Sequence, residues 1–95
     1  MSKVSSSPTK WKILYAESVI RDIQKIDGSV RKIIKKAIED KLGADPLRFG
    51  LPLRRSLKKI FKLRVGDYRI IYQIEKKEVS VLVIKIGHRR DVYED

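Results

Sequence analysis

One hairpin signal constrains the fold of this chain more than any other feature of its sequence. The segment FKLRVGDYRIIYQI, residues Phe61 to Ile74, alternates apolar and polar side chains on both sides of a Gly66-Asp67 pair. A glycine in the first position of a two-residue turn is typical of a type II′ hairpin. The sequence therefore predicts two antiparallel strands, Ile60 to Val65 and Tyr68 to Glu75.

Strand alternation gives this hairpin an apolar face and a cationic face. The apolar face is expected to pack on helices and comprises Phe61, Leu63, Val65, Tyr68, Ile70, Tyr72 and Ile74. The cationic face has no carboxylate and comprises Ile60, Lys62, Arg64, Arg69, Ile71 and Gln73. The register sets Arg64 across from Arg69, where like charges repel. Two interpretations are open: charges splayed into water, or a site for a phosphate, whose oxygens match the arginine fork.

The remaining pattern predicts an α+β domain. Lys10 to Ala16 forms a first strand, and two amphipathic helices follow, with a break at Asp27 to Ser29. The second helix is expected to carry its apolar stripe to Leu42 and to end at Gly43. After a loop region, ADPLRFGLPLRRSLKK, the hairpin and a last apolar strand, Glu78 to Ile86, complete the order β-α-α-β-β-β. We expect a mainly antiparallel four-stranded sheet packed on the N-terminal helical pair.

Length and composition indicate one small domain. The chain has 95 residues and no cysteine, so we expect a flexible tail over residues 1–9 and a single domain over residues 10–95. No segment approaches the roughly 18 apolar residues of a membrane span. The first residues lack the apolar core of a secretory signal. These features predict a cytoplasmic protein with no membrane partner.

The charge of the chain predicts a polyanionic partner. Lys and Arg number 23 against 12 Asp and Glu, a net charge of +11, which attracts nucleic acid. Leu53 to Ile74 alone holds seven cations and one Asp, a net +6 over 22 residues. Candidate contacts to such a polyanion in this window are Arg54, Arg55, Lys58, Lys59 and Arg64.

The segment GHRRDVYED, which follows the last strand, adds further candidates. It contains His88, Arg89, Arg90 and Tyr93, and if the last strand lies beside the hairpin, its end returns close to Arg69. One His and no Cys argue against a zinc site. No phosphate-binding glycine loop and no carboxylate pair on the basic face is present. Any catalysis is therefore expected to use cations, Tyr93 and His88, without a metal or another cofactor.

Two segments, KLRVGDYRIIYQI and VLVIKIGHRRDVY, resemble the RelE branch of the RelE/ParE toxin superfamily. The resemblance also takes in the leading strand, both helices and DPLRFGLPLR. It implies a RelE-like microbial RNase fold. It further implies a toxin that cleaves messenger RNA in the ribosomal A site and is neutralised by a cognate RelB-like antitoxin.

The resemblance also implies roles for individual residues. The catalytic set carried over by motif is Lys62, Arg69, Arg89 and Tyr93, with His88 as the competing acid or base and with Arg64 and Arg90 as RNA contacts. The best-known member has a lysine where this chain has Ile60, and Lys58 or Lys59 is positioned in sequence to compensate. Two alternatives stay open: a ParE-like inhibitor of DNA gyrase and a catalytically weak RNA-binding relative.

Overall fold

The structure, a computed structural model, describes residues 10–53 and 60–92 as an α+β fold. The strands are β1 Lys12–Tyr15, β2 Leu51–Pro52, β3 Ile60–Val65, β4 Tyr68–Glu75 and β5 Ser80–His88. The helices are α1 Glu17–Gln24, α2 Gly28–Ala37 and α3 Pro46–Phe49, and a π-helix, Ile38–Leu42, continues from α2. Within these two ranges, none of the helices has the length and apolar character needed to cross a membrane.

The strands form a five-stranded sheet in the order β1-β5-β4-β3-β2. β1 runs parallel to β5, and every other pairing is antiparallel. The sheet has one strand more than the four predicted, because β2 pairs with the outer edge of β3. β2 has only two residues, so its sequence carries no alternation that could reveal it. The predicted α+β class and mainly antiparallel sheet are confirmed.

The core lies between the sheet and the helices. Fully buried side chains from both layers meet there, among them Val19 of α1, Ile34 of α2, Ile70 of β4 and Val83 of β5. The predicted apolar face of the hairpin packs against this cluster. One buried aliphatic side chain contributes about 1.5–3 kcal/mol to the free energy of unfolding. The contacts of this single layer therefore hold the hairpin against the helices.

The second helix ends differently from its prediction. It is α-helical only to Ala37 and then widens into the π-helix, which keeps Ile38 and Leu42 fully buried. Gly43 follows in a right-handed conformation (φ −68°), not in the left-handed conformation of a glycine C-cap. A Cβ at position 43 would overlap the Glu39 carbonyl. Gly43 is therefore required by close backbone approach.

A hydrogen bond joins the segment around α3 to the middle of the sheet. The hydroxyl of Tyr72, a fully buried residue of β4, donates to the Pro46 carbonyl at 2.6 Å. Burial, reinforced by the charge of Asp45, raises the pKa of Tyr72 well above its usual value, so the hydroxyl stays protonated. Gly50 passes so close to the Tyr72 ring that a Cβ there would overlap its hydroxyl.

Candidate active site

The cationic face of the hairpin forms as the sequence predicts. β3 and β4 pair Lys62 with Ile71 and Arg64 with Arg69. Gly66 has φ +58°, and Asp67 does not share a positive φ, which fits a type II′ turn. The turn chemistry and the register together place Lys62, Arg64 and Arg69 on the side of the sheet opposite the helices.

Two of the three cations on this face are buried. Lys62 retains only 7% of its accessible surface and Arg69 only 8%, whereas Arg64 is exposed. The interpretation that all three are splayed into water is therefore wrong for Lys62 and Arg69. Buried cations are costly unless they are compensated, so these two are held in place by their surroundings and do not sample solvent freely.

Arg69 is oriented by the tip of the hairpin. Its Nη1 donates to the Gly66 carbonyl and to the Tyr68 carbonyl, each at 3.0 Å. These bonds turn the guanidinium toward the tip, although the backbone of Arg69 lies directly opposite Arg64. These two bonds hold the Arg69 guanidinium in one orientation at the hairpin tip.

The end of β5 brings the next segment to the same tip. Gly87 pairs with Arg69, as the sequence analysis anticipated for the end of the last strand. A turn closed by the Asp91 N–H and the His88 carbonyl (2.8 Å) then reverses the chain. The Arg89 N–H donates to the Asp67 carbonyl at 2.7 Å, and Arg89 Nε lies 3.8 Å from Asp67 Oδ1. Arg69 and Arg89 therefore both contact the two-residue tip.

His88 lies on the other side of the sheet. It pairs with Tyr68, and their rings meet edge to face with centroids 5.6 Å apart. A bulge in the β4–β5 pairing explains this position: Ile71 opposes Lys85 while Tyr72 opposes Val83, so β5 carries one extra residue. The extra residue inverts the alternation beyond it. His88 consequently faces the helices, in a cleft with Asp22 and Lys25, and not the cationic face.

Of the remaining candidate site residues, one lies within the described ranges and the others lie outside them. Arg90 is exposed, and its Nε and backbone N–H both donate to His88 Nδ1 at 3.3 Å. The predicted sites at Arg54, Arg55, Lys58, Lys59 and Tyr93 lie outside the described residues. In residues 10–53 and 60–92, no three His, Asp or Glu side chains cluster as metal ligands.

Two positions beside the cationic face were not among the predicted site residues. Val92 is 5% exposed, and its Cγ2 would lie 2.8 Å from a Cβ at Gly87. Both lie in the GHRRDVYED segment, but neither was singled out there as a candidate. The available signal was the glycine itself, since a glycine within a strand often marks close approach by another segment.

Comparisons with known proteins identify the family of this chain. A family model described as the ParE toxin of the type II toxin–antitoxin system parDE matches residues 13–93. Toxin RelG of Mycobacterium tuberculosis is 31% identical over 81 residues, covering 85% of this chain and 93% of the relative. The mRNA interferase toxin RelE of Escherichia coli K12 is 32% identical over 88 residues, covering 85% and 87%.

A solved structure supports the same assignment. The toxin–antitoxin complex RelBE2 of M. tuberculosis contains a chain that superposes with a TM-score of 0.80 at 28% identity, covering 92% of this chain and all of that one. The isolated RelE toxin of E. coli superposes with a TM-score of 0.68 at 22% identity, which shows a common fold.

The chain therefore belongs to the RelE/ParE superfamily of toxins from type II toxin–antitoxin systems. Its relatives place it more particularly in the RelE-type branch, and the RelE-like fold is confirmed.

Proposed function

We propose that this protein is a ribosome-dependent endoribonuclease that cleaves messenger RNA in the A site and thereby stops translation. The observation that carries the proposal is the cationic face: buried Lys62 and Arg69 lie beside exposed Arg64, and Arg89 meets the same hairpin tip. Such a face suits a phosphodiester, and its charge suits the RNA surface of a ribosome. The name of the E. coli relative, mRNA interferase toxin, supports the same activity.

Side chains of this protein can supply each group that the proposed reaction needs. The ribose 2′-hydroxyl attacks the adjacent phosphorus, its proton passes to a base, and the bond to the 5′-oxygen breaks as that oxygen gains a proton. The products are a 2′,3′-cyclic phosphate and a 5′-hydroxyl end. Arg69 and Arg89 would hold the phosphate oxygens, and Lys62 would stabilise the developing charge or protonate the leaving oxygen. No metal ion enters this proposal.

Tyr93 is our candidate for the base. Its phenolic hydroxyl can transfer a proton, and positive charge close to such a hydroxyl favours the phenolate form. The position of His88 on the helix side of the sheet supports this choice, because its ring faces Tyr68 and not Arg69. The Nδ1 of His88 also accepts from Arg90, so this nitrogen is already engaged in the free protein.

A ParE-like inhibitor of DNA gyrase is the second candidate, because the matching family model is described as ParE. In a translating extract, we expect the protein to cut ribosome-bound message, to leave the same RNA intact in buffer and to leave gyrase supercoiling unchanged. Primer extension and a supercoiling assay measure these outcomes. Intact message with inhibited supercoiling would give the function to the second candidate, and RNA binding without cuts would indicate a catalytically weak relative.

We propose a RelB-like antitoxin as the protein partner and the cytoplasm, where ribosomes are found, as the site of action. A groove of about 380 Å³ between α1 and α2 suits such a partner. Its floor is apolar and its rim is basic: Tyr15, Ile20, Ile23, Arg31, Lys32 and Lys35. An amphipathic helix with carboxylates beside its apolar stripe complements both features.

Tyr15, which lines this groove, carries its hydroxyl in the protein interior. This hydroxyl is buried and has no hydrogen-bond partner among the described residues. Burial, together with the charge of Glu39, raises the pKa of Tyr15, so the hydroxyl remains a donor.

Two isoleucines allow a matched test of the groove. Ile20 and Ile33 are both exposed, at 50% and 61%, but only Ile20 lines the groove. We expect Ile20→Glu to weaken binding of the protein encoded by the neighbouring reading frame by about 30-fold, as for an interface hot spot. Ile33→Glu should bind as the wild type does. Isothermal titration with both variants measures this, and equal affinities would place the partner elsewhere.

A further inference from the structure

We propose that Gly87 and Val92 are positioning residues, which together with the backbone of Asp67 hold Arg89 at the hairpin tip beside Arg69. This inference rests on the proposed function, because it assigns the two residues a role in RNA cleavage. Neither residue would touch the phosphate. Their effect would be to fix the segment that carries Arg89.

The contact between Gly87 and Val92 lies on the cationic side of the sheet. Gly87 is directly opposite Arg69 in the β4–β5 ladder, so a side chain at position 87 would project from the same face as Arg69. Val92 occupies that space, with Cγ2 2.8 Å from where a Cβ would stand. Because Val92 is 5% exposed, it is packed against the sheet and the absence of a side chain at Gly87 makes room for it.

Three hydrogen bonds define the path from Gly87 to Val92. The Asp91 N–H closes the turn on the His88 carbonyl, and the Arg90 N–H donates to His88 Nδ1. The Arg89 N–H then reaches across to the Asp67 carbonyl at 2.7 Å. The chain is thus fixed at both ends of the turn, by the hairpin tip at one end and by the buried Val92 at the other.

This arrangement joins the hairpin motif to the GHRRDVY motif through direct contacts. The tip of the first motif supplies the carbonyl that binds Arg89, and the glycine of the second supplies the space for Val92. Arg69, itself bound to the tip through Gly66 and Tyr68, shares this support with Arg89. A shift of about 1 Å in a group that binds the reacting phosphate can cost as much as 100-fold in rate.

The variant Gly87→Ala tests the proposal. Its methyl group collides with Val92, so we expect single-turnover cleavage at saturating protein to fall by about tenfold or more with ribosome affinity unchanged. Gly87→Ala/Val92→Ala removes the colliding methyl and should cleave no more slowly than Val92→Ala alone. Gly28→Ala is the matched control, because among the described residues a Cβ there meets only Arg31 Nη2, at an ordinary 3.6 Å.

Hydrogen exchange gives a second, independent measurement. In Gly87→Ala, the Arg89 amide should exchange about tenfold faster than in the wild type, while amides in the core of β4 keep their protection, as expected for local opening. Wild-type exchange of Arg89 in Gly87→Ala would overturn the proposal. Faster exchange of the Arg89 amide with undiminished cleavage would show that the contact between Gly87 and Val92 has no role in cleavage. If the wild-type protein does not cleave, the proposed function itself is wrong. The exchange measurement does not depend on cleavage, so the two failures can be told apart.

Discussion

Replacing Arg69 by alanine is expected to slow single-turnover cleavage of ribosome-bound message by on the order of 100-fold or more. Arg69 is 8% exposed and is fixed by two carbonyls at the hairpin tip, so its charge is aimed before substrate binds. Such preorganised charge acts mainly in the transition state. Ribosome affinity should therefore be largely retained.

Arg21→Ala is the matched control for this variant. Arg21 lies in the last turn of α1, is exposed and is also an arginine, so the net charge changes equally. If both variants lose cleavage to the same extent, the effect comes from total charge and the assignment of Arg69 to the site is wrong.

Tyr93→Phe completes this first prediction. The substitution keeps the ring and removes only the group that transfers the proton, so we expect a loss of about 100-fold or more in the same assay. His88→Ala should cost much less, because its ring lies on the helix side of the sheet. An inactive His88→Ala beside a fully active Tyr93→Phe would transfer the base to His88. Full activity in both would show that the proposed site is wrong.

Gly50→Ala is expected to destabilise the fold by about 3 kcal/mol, since its methyl would overlap the Tyr72 hydroxyl and displace the bond to Pro46. A domain of this size has a free energy of unfolding of about 5–15 kcal/mol. The corresponding fall in Tm is about 15 °C. Calorimetry or thermal circular dichroism measures it.

Two further variants identify the cause of this loss. Gly28→Ala, whose methyl meets Arg31 Nη2 at an ordinary 3.6 Å within the described ranges, should change stability by less than about 0.5 kcal/mol. Tyr72→Phe removes the hydroxyl and leaves the Pro46 carbonyl without its donor, at a cost of about 1–3 kcal/mol. Because the methyl and the hydroxyl compete for one space, the double variant should lose less than the sum. Additive losses would show that Gly50 and Tyr72 act independently.

The sequence predicted the hairpin well and the surrounding elements less well, for physical reasons. The bounds and register of β3 and β4 were correct because alternation and a glycine-first turn act over neighbouring residues. β5 begins and ends two residues later than predicted. The switch from α-helix to π-helix after Ala37 leaves the apolar stripe intact, so periodicity could not reveal it.

The cationic face was predicted, but the position of His88 was not. Simple alternation from buried Val83 would have placed His88 on the face that carries Arg69. The bulge beside Tyr72 reverses that parity, and it arises from the pairing of β4 with β5, which no local pattern records. The burial of Lys62 and Arg69 was missed for a related reason, since burial depends on segments distant in sequence.

The position of β5 has a consequence for the order in which the molecule can assemble. β5 is the last strand in sequence, yet it lies between β1 and β4. Before it is in place, β1 has no neighbour in the sheet and the helices have only part of the surface that they cover. The pairing of β1 with β5 joins segments that are far apart in sequence. Such pairing is slow, because closing the intervening loop costs entropy before any stabilising contact forms. β5 is both the interior strand that joins β1 to the rest of the sheet and the strand that leads to Arg89. A chain that has not completed its core should therefore lack the proposed cleavage activity.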